Sequence, residues 1–189
     1  MDVVIASNNE HKIKEIKQIL KDKFDNLYSL KEVNIDCDPE ENGQTFLDNA
    51  LIKANAIGQL TDKAVLADDT GLCVNALNGM PGVHSARYAG NHDHKANREK
   101  LLRELDGKQD RTAYFATVVV LRYPDGTTVV GEGRVDGKIL TAEEGENGFG
   151  YDTLFFSFDL NKSFGIATDD EKNSVSHRAR ALHDLLKKL

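Results

Sequence analysis

The chain has few of the features that mark secreted and membrane proteins. It contains only two cysteines, Cys37 and Cys73, and a reducing compartment is the simpler interpretation of so few. No apolar run approaches the roughly 20 residues of a membrane-spanning helix. The first residues, MDVVIASNN, lack the basic start and long apolar core of a signal peptide. We therefore expect a cytoplasmic protein with no membrane partner.

The chain also lacks the excess of positive charge that broad binding to nucleic acid requires. Its formal net charge is −7, which argues against a nucleic-acid partner but not against a small anion held by a few local cations. A hydrophobic content of 40% and a charged content of 29% are ordinary for a globular protein. The length of 189 residues suits one domain, or two lobes that share a sheet.

The amino-terminal segment lacks the glycines of a P-loop or of a dinucleotide-binding motif. Residues Val3–Ala6 nevertheless predict a strand that stops at Ser7, and a helix follows, with Asn8 or Asn9 as its cap. Lys12 lies in the first turn of this helix, where backbone N–H groups and the helix dipole favour an anion. Many α/β proteins begin in this way without binding a ligand.

We predict that the stretch Val65–Gly90 carries the central part of the functional site and that the rest of the chain is organised around it. It begins with a buried apolar run, 64–67, which we expect to end at two adjacent carboxylates, Asp68 and Asp69. Thr70 and Gly71 then predict a turn. Carboxylates delivered by a rigid strand to a loop are a common layout for a metal-dependent site. The alternative is a solvated turn with no ligand.

An acidic segment, 36–41, precedes a second predicted helix that Thr45 caps and Gly58 closes. Either Glu40 or Glu41 is placed to join a metal site, and Lys53 is placed to reach an anion. The alternative is a solvated acidic loop and a surface lysine.

Between this helix and the carboxyl-terminal part, the sequence predicts a polar helix and a hairpin. His92 and His94 lie at the start of the helix, 91–105, where their spacing points the two rings apart and disfavours a zinc site. The segments 113–122 and 128–135 flank a tight turn and predict the hairpin.

Two further segments are candidates for binding a ligand. In the glycine-rich loop 143–152, Phe149 offers a stacking face, although the glycines are equally typical of a mobile surface loop. The last helix is predicted to begin at Ser174 or Ser176, after an acidic segment. Its first turn carries His177 and Arg178, whose positive charges oppose the helix dipole, so a bound anion or base edge would explain them.

Four motifs together carry a resemblance to a known family: SNNEHK at 7–12, ADDTGLCVNALNGMPGVHSARYAG at 67–90, GFGYD at 148–152 and SHRARAL at 176–182. In this order they closely resemble the Ham1/RdgB-like inosine triphosphate pyrophosphatases, house-cleaning enzymes that hydrolyse non-canonical purine nucleoside triphosphates. The resemblance implies one domain over residues 1–189, with an elongated mixed α/β sheet, flanking helices, two lobes around a central cleft, and a homodimer.

The resemblance also assigns roles to individual residues. It implies that Asp69 is the general base and that Glu41 and Asp69 bind Mg²⁺ or another divalent cation. The residues it implies for the purine nucleoside triphosphate, together with Lys53 from the residue-level argument, are Ser7, Asn8, Asn9, Glu10, His11, Lys12, Lys53, Thr70, Phe149, Gly150, Tyr151, Asp152, Lys172, His177 and Arg178. Ser7, Thr70 and Ala179 stand where the family usually has Thr, Ser and Gly, and no functional atom type is lost.

The expected reaction is attack of water on the α-phosphorus, which yields a nucleoside monophosphate and pyrophosphate. ITP, dITP and XTP carry a 6-oxo acceptor that donors such as His177 and Arg178 would favour over the 6-amino group of adenine. No serine–histidine or cysteine–histidine arrangement indicates a covalent intermediate. Two rival interpretations are a pyrimidine-directed pyrophosphatase of the Maf type and a non-catalytic nucleotide-binding module.

Overall fold

A single mixed β-sheet organises the computed structural model, which describes all 189 residues. Its seven strands are β1 (Asp2–Ile5), β2 (Asn26–Ser29), β3 (Ala64–Val74), β4 (Thr112–Arg122), β5 (Thr128–Ile139), β6 (Phe155–Ser157) and β7 (Lys162–Ser163), in the order β2-β1-β3-β4-β5-β6-β7. Strand β1 is parallel to β2 and β3, whereas β6 is antiparallel to β5 and β7. The predicted mixed α/β fold and the hairpin of β4 and β5 are confirmed.

Five α-helices accompany the sheet: α1 (Glu10–Ile19), α2 (Phe46–Gly58), α3 (His94–Glu104), α4 (Asp169–Val175) and α5 (His177–Leu186). The side chain of Asn9 caps α1, and Thr45 caps α2 in a reciprocal capping box with Asp48, as the sequence predicts. None of these helices is long and apolar enough to cross a membrane. Cys37 and Cys73 are both free thiols.

The chain divides into two compact units. The first consists of Met1–Asp69, Thr117–Gly133 and Arg178–Leu189, and the second of Thr70–Ala116 and Arg134–His177. In the first unit, alternate residues of β3 pack in two different cores. Leu66 packs with apolar residues of α1 and α5, whereas Val65 and Ala67 pack with the alanines and isoleucine of α2. This division arises because successive side chains of a β-strand point to opposite faces of the sheet.

The second unit is built around a cluster of aromatic rings. Phe155 lies 4.7 Å from Phe115 and 5.2 Å from Phe164, measured between ring centroids. Leu101 and Leu105 of α3 join the same buried core. Contacts between tilted rings at these distances stabilise a core beyond the area that they bury.

The prediction that β3 ends at the two aspartates is wrong. Strand β3 continues without interruption from Ala64 to Val74, so Asp68 and Asp69 lie in the middle of a buried strand and not at the mouth of a loop. Gly71 is an ordinary strand residue here, and its φ is not positive. The strand continues because neither carboxylate is buried without a partner: two cations meet Asp68, and Asn49 and Lys53 meet Asp69.

The prediction of the carboxyl-terminal helix missed a short helix before it. The acidic residues that were expected to precede a cap form the first turn of α4, which Thr168 begins in a capping box with Glu171. Ser176 then adopts an extended conformation and separates α4 from α5. Of the two predicted starts of the last helix, Ser176 is therefore the right one, and Ser174 lies inside α4.

Candidate active site

The buried carboxylate of Asp68 lies between two cations. Its Oδ2 atom accepts hydrogen bonds from Nε of Arg178 at 3.3 Å and from Nη2 at 3.2 Å, and Nζ of Lys12 lies 3.2 Å away. Nη1 of Arg178 donates to Glu15 of α1. Although burial raises the pKa of Asp68, Lys12 and Arg178 outweigh burial and hold that pKa well below its usual range. Asp68 is therefore a permanent anion.

Lys12 reaches Asp68 because of the way the chain turns from β1 into α1. Oδ1 of Asn9 accepts hydrogen bonds from the backbone N–H groups of His11 and Lys12, and Oγ of Ser7 accepts one from the N–H of Asn9. The Asn9 side chain thus occupies two of the backbone N–H groups that the sequence predicted to bind an anion. Asn8, Glu10 and His11 are exposed, whereas the Lys12 side chain is directed at the buried carboxylate.

Asp69 faces a different set of groups, which come from α2 and the segment before it. Nδ2 of Asn49 donates to Oδ2 of Asp69 at 3.0 Å, and Nζ of Lys53 lies 3.9 Å from Oδ1. The same ammonium donates to Oε2 of Glu41 at 2.9 Å. The structure therefore brings together Glu41, Lys53 and Asp69, all three of which the sequence singles out.

The strand period explains why adjacent aspartates have different partners. Successive residues of a strand point to opposite faces of the sheet. Asp68 follows Leu66 towards the face that α1 and α5 cover, and Asp69 follows Ala67 towards the face that α2 covers. One strand thus presents one carboxylate to each of two groups of helices.

The proton affinities of the Asp69 cluster also differ from those around Asp68. Burial raises the pKa of Asp69 to about 6, although Lys53 and Lys12 act against the rise. Burial lowers the pKa of Lys53, but the carboxylates of Asp68, Asp69 and Glu41 outweigh burial and raise it. Asp69 is therefore able to take up a proton near neutral pH, which Asp68 is not.

The donors beside Lys53 fit a hard divalent cation. Glu41 and Asp69 supply carboxylate oxygens, the ligand type that Mg²⁺ prefers, and Mg²⁺ characteristically uses one or two carboxylates and completes its shell with water and phosphate oxygens. No group of three or more His, Cys, Asp or Glu residues is arranged to hold a metal by itself. The binding of a cation by Glu41 and Asp69 stays a prediction.

The glycine-rich loop and α4 form a second cluster, which lies wholly in the second unit. Nζ of Lys172 donates to Oδ2 of Asp152 at 2.7 Å, and the same oxygen accepts the N–H of Phe149 at 3.0 Å. Nζ of Lys172 also lies 4.9 Å above the centre of the half-buried Phe149 ring. Gly148 has a φ of +75°, and a Cβ there would lie 2.2 Å from Oδ2 of Asp152, so the loop requires glycine at this position.

The remaining predicted ligands of the second unit have identifiable contacts. The His177 ring stacks on Phe115, with centroids 4.7 Å apart and planes inclined by 17°. The Tyr151 hydroxyl is buried and donates to the carbonyl of Ser85 at 2.7 Å, and the carbonyl of Gly150 accepts from Arg98. Thr70 is half-buried.

His177 and Arg178, which the sequence treats as a pair, have different partners in the structure. Arg178 has no exposed surface, and its three guanidinium nitrogens contact the carboxylates of Asp68 and Glu15. Such contacts are typical of an arginine that holds other side chains in place. A direct contact of Arg178 with a base stays a prediction.

Sequence reasoning missed Asn49 and Glu15. Asn49 precedes Lys53 by one helical turn, and Glu15 follows Lys12 by three residues, so each shares a helix face with a lysine that the sequence selects. This spacing was a usable signal.

The fold and the clusters define a class of protein: a mixed α/β protein in which lysines and buried carboxylates gather around one central strand. Comparisons with known proteins agree with this class. The model of the Ham1 family matches residues 3–188. A dITP/XTP pyrophosphatase of Clostridium perfringens is 50% identical over 96% of this chain and 94% of its own length.

Solved structures give the same result. The Ham1 protein of Staphylococcus aureus is 43% identical, with a TM-score of 0.88 over 100% of this chain and 97% of its own. A HAM1 protein from Coxiella burnetii is 34% identical, with a TM-score of 0.89 over 100% of this chain and 98% of its own. The chain belongs to the Ham1 family, as its motifs predict.

We predict opposite effects on stability for the two neighbouring aspartates when a chelator keeps divalent metal away. Asp68→Asn removes the anion between two buried cations and is expected to lower the free energy of unfolding by about 2 to 4 kcal/mol. Asp69→Asn is expected to raise it by roughly 1 to 3 kcal/mol at pH 7, because it removes a buried charge whose ionisation the fold opposes. Denaturant unfolding of both variants measures the difference.

The dependence of this effect on pH is a control. The native protein holds the Asp69 proton more tightly than the unfolded chain does, so wild-type stability falls as the pH rises from the ordinary pKa of 3.8 towards about 6. The advantage of Asp69→Asn should therefore grow over this range and then stay constant. Equal destabilisation by both variants at pH 7 would contradict the assigned charges.

Proposed function

We propose that this chain hydrolyses the non-canonical purine nucleoside triphosphates ITP, dITP and XTP to the monophosphate and pyrophosphate, and so cleanses the nucleotide pool. The observation that carries the proposal is the arrangement on β3, where Lys12 contacts Asp68 and Lys53 lies between Asp69 and Glu41. The Clostridium perfringens relative, a dITP/XTP pyrophosphatase that is 50% identical to this chain, supports the same activity.

The phosphate chain is proposed to bind to residues of the first unit. Two ammonium groups, of Lys12 and Lys53, lie beside carboxylates that hold them in place and offset part of their charge, so a bound triphosphate would also need a divalent cation. Ser7, Asn8 and Asn9 lead into α1, whose amino-terminal dipole favours phosphate, and Glu10 and His11 lie in the first turn of that helix. The pocket that Ser7 and Asn8 line with Lys14 and Lys31 lies on the same loop.

Asp69 is the proposed base. Its raised pKa of about 6 lies near physiological pH, where a carboxylate both is ionised and accepts a proton readily. Water would lose a proton to the Asp69 carboxylate as its oxygen attacks the α-phosphorus, and pyrophosphate would leave. Mg²⁺ bound by Glu41 and Asp69 would neutralise phosphate charge and lower the pKa of bound water.

The base is proposed to bind beside Phe149 and Lys172. The Phe149 ring offers a stacking face, and Lys172 carries its ammonium to this ring, where a 6-oxo group would accept a hydrogen bond. A 6-amino group would instead face a donor, which costs about 1–3 kcal/mol if the donor is left unsatisfied. Gly150, Tyr151 and Asp152 shape this loop, and Thr70 and His177 complete the proposed set of ligands.

Arg178 is proposed to contribute to substrate binding through Asp68. Because its guanidinium contacts Asp68 and Glu15, its loss would free the carboxylate that holds Lys12. The effect on different bases should then be uniform, since every triphosphate presents the same phosphates to Lys12.

The domain organisation, the oligomeric state, the location and the partners of the protein are also proposals. We propose that residues 1–189 act as a single domain, that the protein works as a homodimer in the cytoplasm, and that neither nucleic acid nor membrane is a partner. The rival assignments are a pyrimidine-directed pyrophosphatase of the Maf type and a non-catalytic nucleotide-binding module.

A panel of nucleotides tests the function. Purified protein with Mg²⁺ is expected to release pyrophosphate from ITP, dITP and XTP, and much more slowly from ATP, GTP and pyrimidine triphosphates. Excess chelator should abolish the release, because the two lysines, which already face carboxylates, do not neutralise a triphosphate without a divalent cation. Preference for a pyrimidine would favour the Maf-type alternative. Binding without turnover would favour the non-catalytic module, and orthophosphate as the first product would contradict the proposed reaction.

A second experiment tests the base. Asp69→Asn keeps the shape of the side chain but removes the proton acceptor, so kcat for ITP is expected to fall by at least about two decades. The matched control is Asp62→Asn, at an exposed aspartate beside Lys63, and we expect it to leave kcat unchanged. Retention of wild-type kcat by Asp69→Asn would exclude Asp69 as the base.

A third experiment separates stacking from base reading by comparing kcat/KM for ITP and ATP. Phe149→Ala should lower both by similar factors, because every purine has a face to stack. Lys172→Met should reduce the ITP:ATP ratio by about one to two decades, because the donor to the 6-oxo group is lost. Arg178→Ala should lower both alike. A collapse of the ratio in Arg178→Ala, but not in Lys172→Met, would restore Arg178 as the base-reading donor.

A further inference from the structure

Asn49 is a buried polar residue of α2 that contacts the proposed base, Asp69. It lies one helical turn before Lys53, and both side chains point at Asp69. Asn49 donates to Oδ2 of the carboxylate, whereas Lys53 faces Oδ1. Each carboxylate oxygen of Asp69 thus has its own partner, and the two partners lie on the same face of α2.

The orientation of the Asn49 amide follows from its other neighbour. The backbone N–H of Gly43 donates to Oδ1 of Asn49 at 2.8 Å. An N–H group requires an acceptor, so this contact assigns the oxygen of the amide to Gly43 and turns its NH₂ group towards Asp69. The side chain has no alternative orientation that satisfies both neighbours.

Gly43 links this contact to Glu41, which lies two residues before it. A Cβ at position 43 would lie 2.5 Å from Cβ of Asp48 and 2.6 Å from Oδ1 of Asn49, so only glycine lets the peptide approach α2 this closely. The next two backbone N–H groups, of residues 44 and 45, donate to Oδ2 of Asp48. Lys53 of the same helix donates to the Glu41 side chain itself. Of the two α2 side chains that bond to the backbone of this segment, Asp48 and Asn49, only Asn49 also contacts Asp69.

We propose that Asn49 is a positioning residue that holds the Asp69 carboxylate in one orientation and couples it to the segment that carries Glu41. The inference rests on the proposed function and deepens it. With Oδ2 held by Asn49, Oδ1 keeps its place beside Lys53 and the phosphate-binding charges. Without Asn49 the carboxylate could rotate, and the geometry needed for proton transfer in the transition state would be populated for a smaller part of the time.

The first test uses two variants of similar shape. Asn49→Asp keeps an acceptor for Gly43 but loses the donor to Asp69, and Asn49→Leu loses both bonds without adding a charge. Both are expected to lower kcat for ITP by about one to two decades, with KM changed less than about threefold, because the contacts with phosphate and base are untouched. Agreement between the variants excludes repulsion between carboxylates as the cause.

Asp48→Ala is the matched control for loosening of the segment. It removes the bonds to residues 44 and 45 but does not touch Asp69. We expect a lower melting temperature and a kcat within about twofold of wild type. An equal loss of kcat in Asp48→Ala would show that Asn49 acts only by holding the segment, and would overturn the inference.

The second test does not depend on activity. The ¹H–¹⁵N signals of the Asn49 side-chain NH₂ group are recorded in chelator, and a hydrogen bond to a carboxylate should shift one proton to low field. Asp69→Ala should abolish this shift, whereas Asp48→Ala should preserve it. If the NH₂ signals of Asn49 are the same in Asp69→Ala as in the wild type, the inference is contradicted. This test does not require that any Asn49 variant folds.

The two proposals fail in different ways. An inactive wild-type protein would refute the function and leave the amide signals to test the geometry. An active wild-type protein with full kcat in Asn49→Asp and Asn49→Leu would refute only the role of Asn49.

Discussion

The compensation of buried charge on β3 is the constraint on which the rest of the structure depends. A carboxylate in the middle of a covered strand is costly unless cations reach it. Lys12 and Arg178 meet Asp68, and Lys53 meets Asp69. These cations come from the first turn of α1, the first turn of α5 and the middle of α2, so the placement of three helices is tied to two residues of one strand.

The same constraint gives the neighbouring aspartates different chemical properties. Cations outweigh burial at Asp68 and keep it ionised, whereas burial prevails at Asp69 and raises its pKa to about 6. A permanent anion suits the task of holding cations in place, and a carboxylate that titrates near neutrality suits proton transfer. Because successive side chains of a strand point to opposite faces of the sheet, two adjacent residues can have these two different properties.

The second unit uses burial for another purpose. Lys172 is only 4% exposed, and its ammonium is paired with Asp152 beside the Phe149 ring. The glycine at 148 lets the loop fold against this carboxylate. A cation fixed in this way is a donor of defined position, which a surface lysine would not provide.

Much of the local structure and of the candidate site was predictable from the sequence, because caps, strand periods and turn residues act over a few positions. Asn9 and Thr45 cap their helices as predicted, and the motifs name the family that the comparisons identify. By itself the sequence thus determined the caps of α1 and α2, the mixed α/β class and the family. It did not determine where β3 ends, which partners surround Arg178, or that Asn49 contacts Asp69. Only the tertiary structure decided these points. Whether a strand can continue through a charged residue depends on the cations that contact that residue, and here those cations lie far away along the chain.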